Sequence, residues 1–273
     1  MNLRLVNAEF LKLRKRRGLV ISSLVLTVVP MVIAYTTLAI LHASNPAKNG
    51  QAGGMENFVG SMEVLTMLSA VAAILVGSTL GTGDLGSGVF RELVVTGRSR
   101  LSLFVARVPA GLGMLVVVVG GAFAITATAS IVLAGSEGPR SEQVAPGSWE
   151  TTLGYLAPSG TLLLQSAGWL ALSTTAAMVL ALGVASLVGS RGTSIGVLLG
   201  WWVIAMPLLQ GMGVLGSLRQ GFVSAAIARI GPEALVPSDP VVSMSLLAAV
   251  LVLLGWAAVP LGVGAWRTAT RDA

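Results

Sequence analysis

The sequence predicts an all-α integral membrane protein with six transmembrane helices. Three observations carry that reading. Of 273 residues, 54% are hydrophobic and 10% charged, too little polar surface to coat a soluble globule. Between the charges lie six uncharged windows, Gly18–Leu41, Val64–Gly83, Val108–Ser136, Thr151–Ser190, Gly192–Leu218 and Pro240–Trp266, each long enough for the roughly 20 helical residues that cross a bilayer core. None of them alternates polar with apolar positions as the strands of a membrane barrel must. Residues 1–273 read as a single polytopic domain, with spans at about 18–41, 62–83, 108–135, 163–189, 193–216 and 241–266.

Ahead of the first span, Leu3, Val6, Phe10, Leu13 and Arg17 recur at i, i+3, i+4 spacing and basic residues crowd the other faces. This pattern suits an amphipathic helix lying along an anionic membrane surface; a plain positive anchor is the simpler alternative. The apolar run that follows is too long for a signal peptide and lacks an obvious small-residue cleavage site, so the segment is expected to stay on the protein. His42 sits at the far end of the first span and reads as interfacial. Glu63 and Asp84 border the second span at opposite ends, away from mid-membrane, where a proton or ion relay belongs. The fourth window is about twice the required length, and Pro158, Ser159 and Gly160 break its first half. The span is therefore expected near 163–189, with 151–158 as an interfacial or re-entrant piece. Before the sixth span, 219–237 has Phe222, Ala226, Arg229 and Ile230 scattered at helix spacing, an amphipathic outer segment.

The cations set the orientation. Arg4, Lys12, Arg14, Lys15, Arg16 and Arg17 precede the first span. Arg91, Arg98, Arg100 and Arg107 lie between the second and third, Arg191 between the fourth and fifth, and Arg267 and Arg271 after the sixth. The opposite side holds Lys48, Arg140, Arg219 and Arg229. Both termini are therefore expected in the cytoplasm. The basic balance is a topology signal, and nucleic-acid binding is not implied.

One stretch breaks the oily pattern: "GTGDLGSGVFRELVVTGRSRLSLFVAR", Gly81 to Arg107. Val89, Phe90, Leu93 and Val94 form one helical stripe, Arg91 and Glu92 point elsewhere, Asp84 or Ser87 can cap the start, and Gly97 suits a C-terminal cap. Ser99 can then open a second helix that runs into the third span. A short amphipathic helix on the cytoplasmic side is expected; an ordinary loop whose arginines fix topology is the competing reading.

Two spans carry small residues every fourth position: Ser69, Ala73, Gly77 and Gly81 in the second, and Ser173, Ala177, Ala181, Ala185 and Gly189 in the fourth. Such faces let helix backbones approach closely, within one subunit or between two. Met31, Met67, Met114, Met178 and Met206 could line an adaptable path or simply fill the core.

Absences narrow the function. Cys is missing, which excludes disulfides and thiolate metal sites. The chain has no GxxxxGK[ST] phosphate loop and no HExxH motif, and no nucleophile and base pair at membrane depth. A channel or a secondary transporter working without ATP also suits six spans, but no filter, charged pore ring, intramembrane ionisable group or repeated half is evident.

Taken together, these residues resemble the membrane (permease) subunits of bacterial ABC exporters of the type-2 class. Glu9, Phe10, Lys12 and Leu13, within "EFLKLRKRR", look like that family's cytoplasmic elbow helix. Asp84, Gly88, Arg91, Leu93, Thr96, Arg98, Ser99, Arg100 and Arg107 resemble its signature after the second span, and "AWRTATRDA" its basic-acidic close. Val89 stands where the family often has Thr, and Gly97 where Pro is common. The resemblance implies that the stretch including Val89, Phe90, Glu92 and Val94 docks in a groove of a separate ABC ATPase, and that 219–237 forms re-entrant or surface helices capping the outer path. It implies two ATPase copies and a second six-span permease, identical or homologous, set among lipids in the bacterial cytoplasmic membrane. ATP and Mg would belong to the ATPase, with no cofactor in this chain. Scarce charge within the spans suits a hydrophobic or amphipathic substrate such as a drug, a lipid or a peptide.

Overall fold

Six helices in the computed structural model are long and apolar enough to cross a membrane, Arg17–Ser44, Gly54–Gly83, Arg100–Val132, Gly160–Val188, Arg191–Gly211 and Leu246–Thr270. The backbone is described for residues 3–86, 99–145, 148–235 and 242–270. In chain order, α1 is Leu3–Lys15, α2 Arg17–Ser44, α3 Gly54–Gly86 and α4 Arg100–Val132. Two strands follow, β1 Arg140–Ala145 and β2 Ser148–Thr152, then α5 Gly160–Val188. The fifth span joins α6 (Arg191–Leu199), a π-helical turn (Gly200–Ala205) and α7 (Met206–Gly211). Short α8 (Val223–Ile230) precedes the last span, α9 (Leu246–Thr270). Successive spans run in opposite senses, so the bundle has a basic end, where Arg17, Arg100, Arg191 and Arg267 fall, and a hairpin end.

The centre of the bundle is α3 against α5. In their most apolar windows 67% and 61% of residues are buried, compared with 6% in α9, so α3 and α5 form the core and α9 lies at the periphery. The reason is in the small residues. A Cβ added at Gly77 would lie against the Met178 carbonyl and 2.8 Å from the Ala181 methyl; one at Gly81 would lie 2.7 Å from the Ala185 methyl. Ala177, Ala181 and Ala185 are fully buried. Higher in the seam Thr174 Oγ1 donates to Ser69 Oγ at 3.2 Å. The two small-residue faces thus meet each other within one chain. On its opposite side, α5 approaches α9, where Gly183 sits against the backbone of Pro260.

The outer helices touch the core through single stripes. Helix α2 buries Leu19, Ser23, Thr27, Met31 and Tyr35, one residue per turn, and the Tyr35 hydroxyl lies 2.6 Å from Ser130 Oγ of α4. Met31, Met114, Met178 and Met206 are buried fillers while Met67 is half exposed, so these methionines do not share one path. Glu63 is an exposed residue inside α3, nine positions past its first, instead of at the border of the span.

The hairpin end departs from expectation. Of the two readings for 151–158, interfacial or re-entrant, the re-entrant one does not hold: Thr151 and Thr152 end β2, which pairs antiparallel with β1, Arg140 opposite Thr152 and Glu142 opposite Glu150. The following loop is stitched to the start of α3, with Met55 N–H donating to Leu156 O at 2.8 Å and Glu56 N–H to Gly154 O at 3.0 Å. His42, at the hairpin end of α2, has Nδ1 3.0 Å from the Asn49 carbonyl.

The seam makes matched substitutions act with opposite sign. Gly77→Ala forces a methyl into backbone already in contact and should destabilise the detergent-solubilised chain by about 1–3 kcal/mol. Gly168→Ala, on the same partner helix but with nothing near the added Cβ, should be neutral or stabilising by up to about 1 kcal/mol. Thermal unfolding of both variants beside wild type checks the pair.

Candidate functional site

Of the residues that sequence reasoning assigned to force reception, Gly88, Val89, Phe90, Arg91, Glu92, Leu93, Val94 and Arg98 lie outside the described residues, and Asp84 is described only as backbone in the last turn of α3. The frame on either side is described. The stretch leaves from the end of α3 and returns at Ser99, whose Oγ accepts from Ser102 N–H at 3.2 Å and so caps α4, satisfying one of the orphan donors of a helix start.

Two arginines tie this frame to its neighbours. Arg100 Nη1 donates to the Ala269 carbonyl at 3.2 Å in the last turn of α9. The Arg16 guanidinium lies over the last turns of α3, where a Cβ at Gly83 would meet Arg16 Nη2 at 3.1 Å. Both place a cation at a helix C-terminus, where the unpaired carbonyls concentrate negative potential. Arg16 is also the single non-helical residue between α1 and α2.

Helix α1 is fastened along α4. Leu5 packs with Leu103 and Ala106, the Phe10 ring lies 3.5 Å from where a Cβ at Gly113 would stand, and Leu13 joins the main core. The buried face is Leu5, Glu9 and Leu13; Leu3, expected on the apolar stripe, is exposed. Glu9 is buried because Lys12 Nζ reaches its Oε1 at 2.6 Å from the next turn, neutralising a carboxylate that would otherwise be costly to desolvate. Arg107 is fully buried within α4, so it belongs to the bundle wall and not to an exposed loop.

At the hairpin end, Glu56 of α3 accepts from Leu153 N–H at 2.7 Å, a carboxylate at a helix N-terminus as the dipole favours. Helix α8 is held by indole donors: Trp169 Nε1 to Ile227 O at 2.9 Å, and Trp256 Nε1 to Gly221 O, just ahead of α8, at 2.8 Å. Trp201, on the π-helical turn, stacks 6.2 Å from Trp256 and 6.3 Å edge-on from Phe222. Val223, Ala225, Ala226 and Ile227 are buried, so α8 is docked against the bundle. Sequence reasoning named none of Glu56, Trp169, Trp201, Trp256 or Tyr35; the available signal was the tryptophans themselves, amphipathic rings whose single N–H donor needs an acceptor within an apolar span.

The chain therefore has fastened structures at both ends and a tight seam between them, with residues 87–98 spliced into the α3–α4 connection. In comparison with known proteins, the sequence profile described as ABC-2 family transporter protein matches residues 5–190. No curated protein matches the chain.

The indole ties predict a local effect. Trp169→Phe keeps the ring but removes the donor to Ile227 O, and should cost about 0.5–1.5 kcal/mol. Hydrogen exchange should rise across Val223–Ile230 and stay unchanged in α3, a contrast that mass spectrometry can read directly.

Proposed function

From the premise that the chain belongs to the ABC-2 transporter family, we propose that it is the permease subunit of an ATP-driven exporter in a bacterial cytoplasmic membrane. Two ATPase subunits would supply ATP and Mg chemistry to a pair of six-span permeases. On this reading the basic end faces the cytoplasm, α1 is the elbow helix, and residues 87–98 carry the coupling helix, with Val89, Phe90, Leu93 and Val94 against the ATPase. The substrate is hydrophobic or amphipathic, in keeping with spans that carry almost no charge.

The observation that supports this reading best is mechanical. A push on residues 87–98 acts directly on the ends of α3 and α4. Through Arg16 beside Gly83 it reaches α1 and α2, and through Arg100 and Ala269 it reaches α9. Helix α3 is 33 residues long, about 50 Å at 1.5 Å per residue, and is locked to α5 along its lower half, so displacement at one end is passed on instead of being absorbed. At its far end the same helix bears the Glu56–Leu153 tie. A single lever thus joins the stretch that would receive ATPase closure to the cap that would gate release.

Orientation is directly testable because the chain has no native Cys. Cys introduced at Ser99 should be shielded from an impermeant thiol reagent in intact cells, while Cys at Ser141 should be labelled; strong labelling at position 99 inverts the topology. The coupling role has its own test. Leu93→Asp should leave insertion and folding normal but place an unpaired charge in the docked face, weakening ATPase association by a few kcal/mol and abolishing export. In a solvated loop the same change is worth only about 0.5 kcal/mol. Normal ATPase pull-down and normal export together would remove the coupling assignment.

A further inference from the structure

The seam between α4 and α5 is not closed along its length. A crevice of about 140 Å³ opens between them, lined by Val116, Val119, Gly120 and Phe123 of α4 and by Ala167 and Ala171 of α5. We infer that this crevice is a binding site for one acyl chain of a bilayer phospholipid, a site independent of whether an ATPase drives the protein.

Depth comes first. The crevice spans Leu112–Phe123 on α4 and Ala167–Thr175 on α5. On each helix it begins and ends about 10 Å or more from the helix termini, at 1.5 Å per residue. Both walls are membrane-crossing helices, so what meets the opening is lipid tail, with headgroups and water held at the ends. Val116, at its lip, is 72% exposed, whereas Leu115 and Val119 behind it are buried. The opening therefore faces outward, towards lipid.

Chemistry selects the same occupant. The lining holds no charged or titratable side chain. Of its two hydroxyls, that of Thr174 is engaged with Ser69 on the other side of α5. An apolar cavity of about 150 Å³ stays dry and accepts an apolar guest, so water does not fill this one. Its width is set by missing side chains: nothing lies within 4 Å of where a Cβ at Gly120 would stand, and alanines face it from α5. A slot of this size admits a hydrocarbon chain, whereas a helix from a second copy, about 10–12 Å across with its side chains, does not enter it.

The test uses the full chain in nanodiscs of a single phosphatidylcholine that carries a diazirine midway along one acyl chain. After photolysis and digestion, adducts should concentrate on residues 112–123 and 167–175, above the level on Leu247, Leu251 and Leu254, an equally exposed apolar face of α9. Gly120→Leu and Ala171→Leu fill the slot and should each abolish the excess while leaving α9 labelling unchanged. Gly121→Leu, one residue on and outside the lining, should keep it. Equal labelling of every exposed face overturns the site, as does an excess that survives both filling substitutions. Chain-to-chain adducts at the crevice in place of lipid adducts would make it a seam between copies and also overturn it. The wild-type pattern decides by itself should a filled variant fail to fold.

Discussion

The whole bundle depends on how closely the backbones of α3 and α5 approach. In water, helices associate because burial removes apolar surface from solvent; between lipid tails that drive is absent, and association rests on dispersion and short polar contacts at close range. Glycine at 77 and 81 facing alanine at 181 and 185 removes the side-chain bulk that would hold the axes apart. Each adjoining atom pair contributes only about 0.1–0.2 kcal/mol, so the seam is effective through the number of pairs that a close approach creates. One methyl in the wrong place removes many of them together.

Everything attached to this seam is held at its ends. At the basic end, Arg100 donates to the Ala269 carbonyl in the last turn of α9, and the Arg16 guanidinium lies beside Gly83 near the end of α3. At the hairpin end, the first N–H groups of α3 donate to backbone carbonyls of the loop after β2, and the Glu56 carboxylate accepts from that loop's Leu153 N–H. Polar ties suit these places because helix termini carry the unpaired backbone groups. The span interiors use hydroxyls instead. Thr27, Thr66, Thr79, Thr82 and Thr126 each donate to the carbonyl four residues back, satisfying themselves without a partner helix.

The fold class was legible because the bilayer enforces length and apolarity on every span, and uncharged windows can be read without knowing what packs where. Gly77, Gly81, Ala177, Ala181 and Ala185 were legible as close-packing residues for the same reason: spacing by four leaves a mark in one dimension. What spacing did not reveal was the partner, since whether Gly77 meets Ala181 of its own chain or of another depends on three-dimensional approach. The hairpin was not legible from span-length windows because it falls in the charged segment between the third and the fourth of them, with Arg140, Glu142 and Glu150, although Pro146-Gly147 is a turn dipeptide. Leu3 was assigned to the apolar stripe, but the buried face runs through Leu5, Glu9 and Leu13, and Leu3, roughly 200° around from Leu5, is left exposed. Ser99 was legible as the start of the helix that carries Arg107, but the full burial of Arg107 was not, because it depends on what packs around α4.

The geometry of α5 also explains why a tight seam leaves a gap beside it. Successive residues turn by about 100°, so Gly183 lies roughly 200° around from Ala181, and Ala171 roughly 80° around. Helix α5 therefore presents small residues to α3 on one side and to α9 on nearly the opposite side. Drawn against both, it cannot also move towards α4, whose own position is fixed by α1 and α2 through Leu103, Ala106 and Ser130. Larger side chains at Gly120 or Ala171 would have bridged the space, and the chain has the smallest ones there. The opening between α4 and α5 is thus a consequence of satisfying two close contacts at once, and its apolar lining follows from lying where only lipid tails can enter.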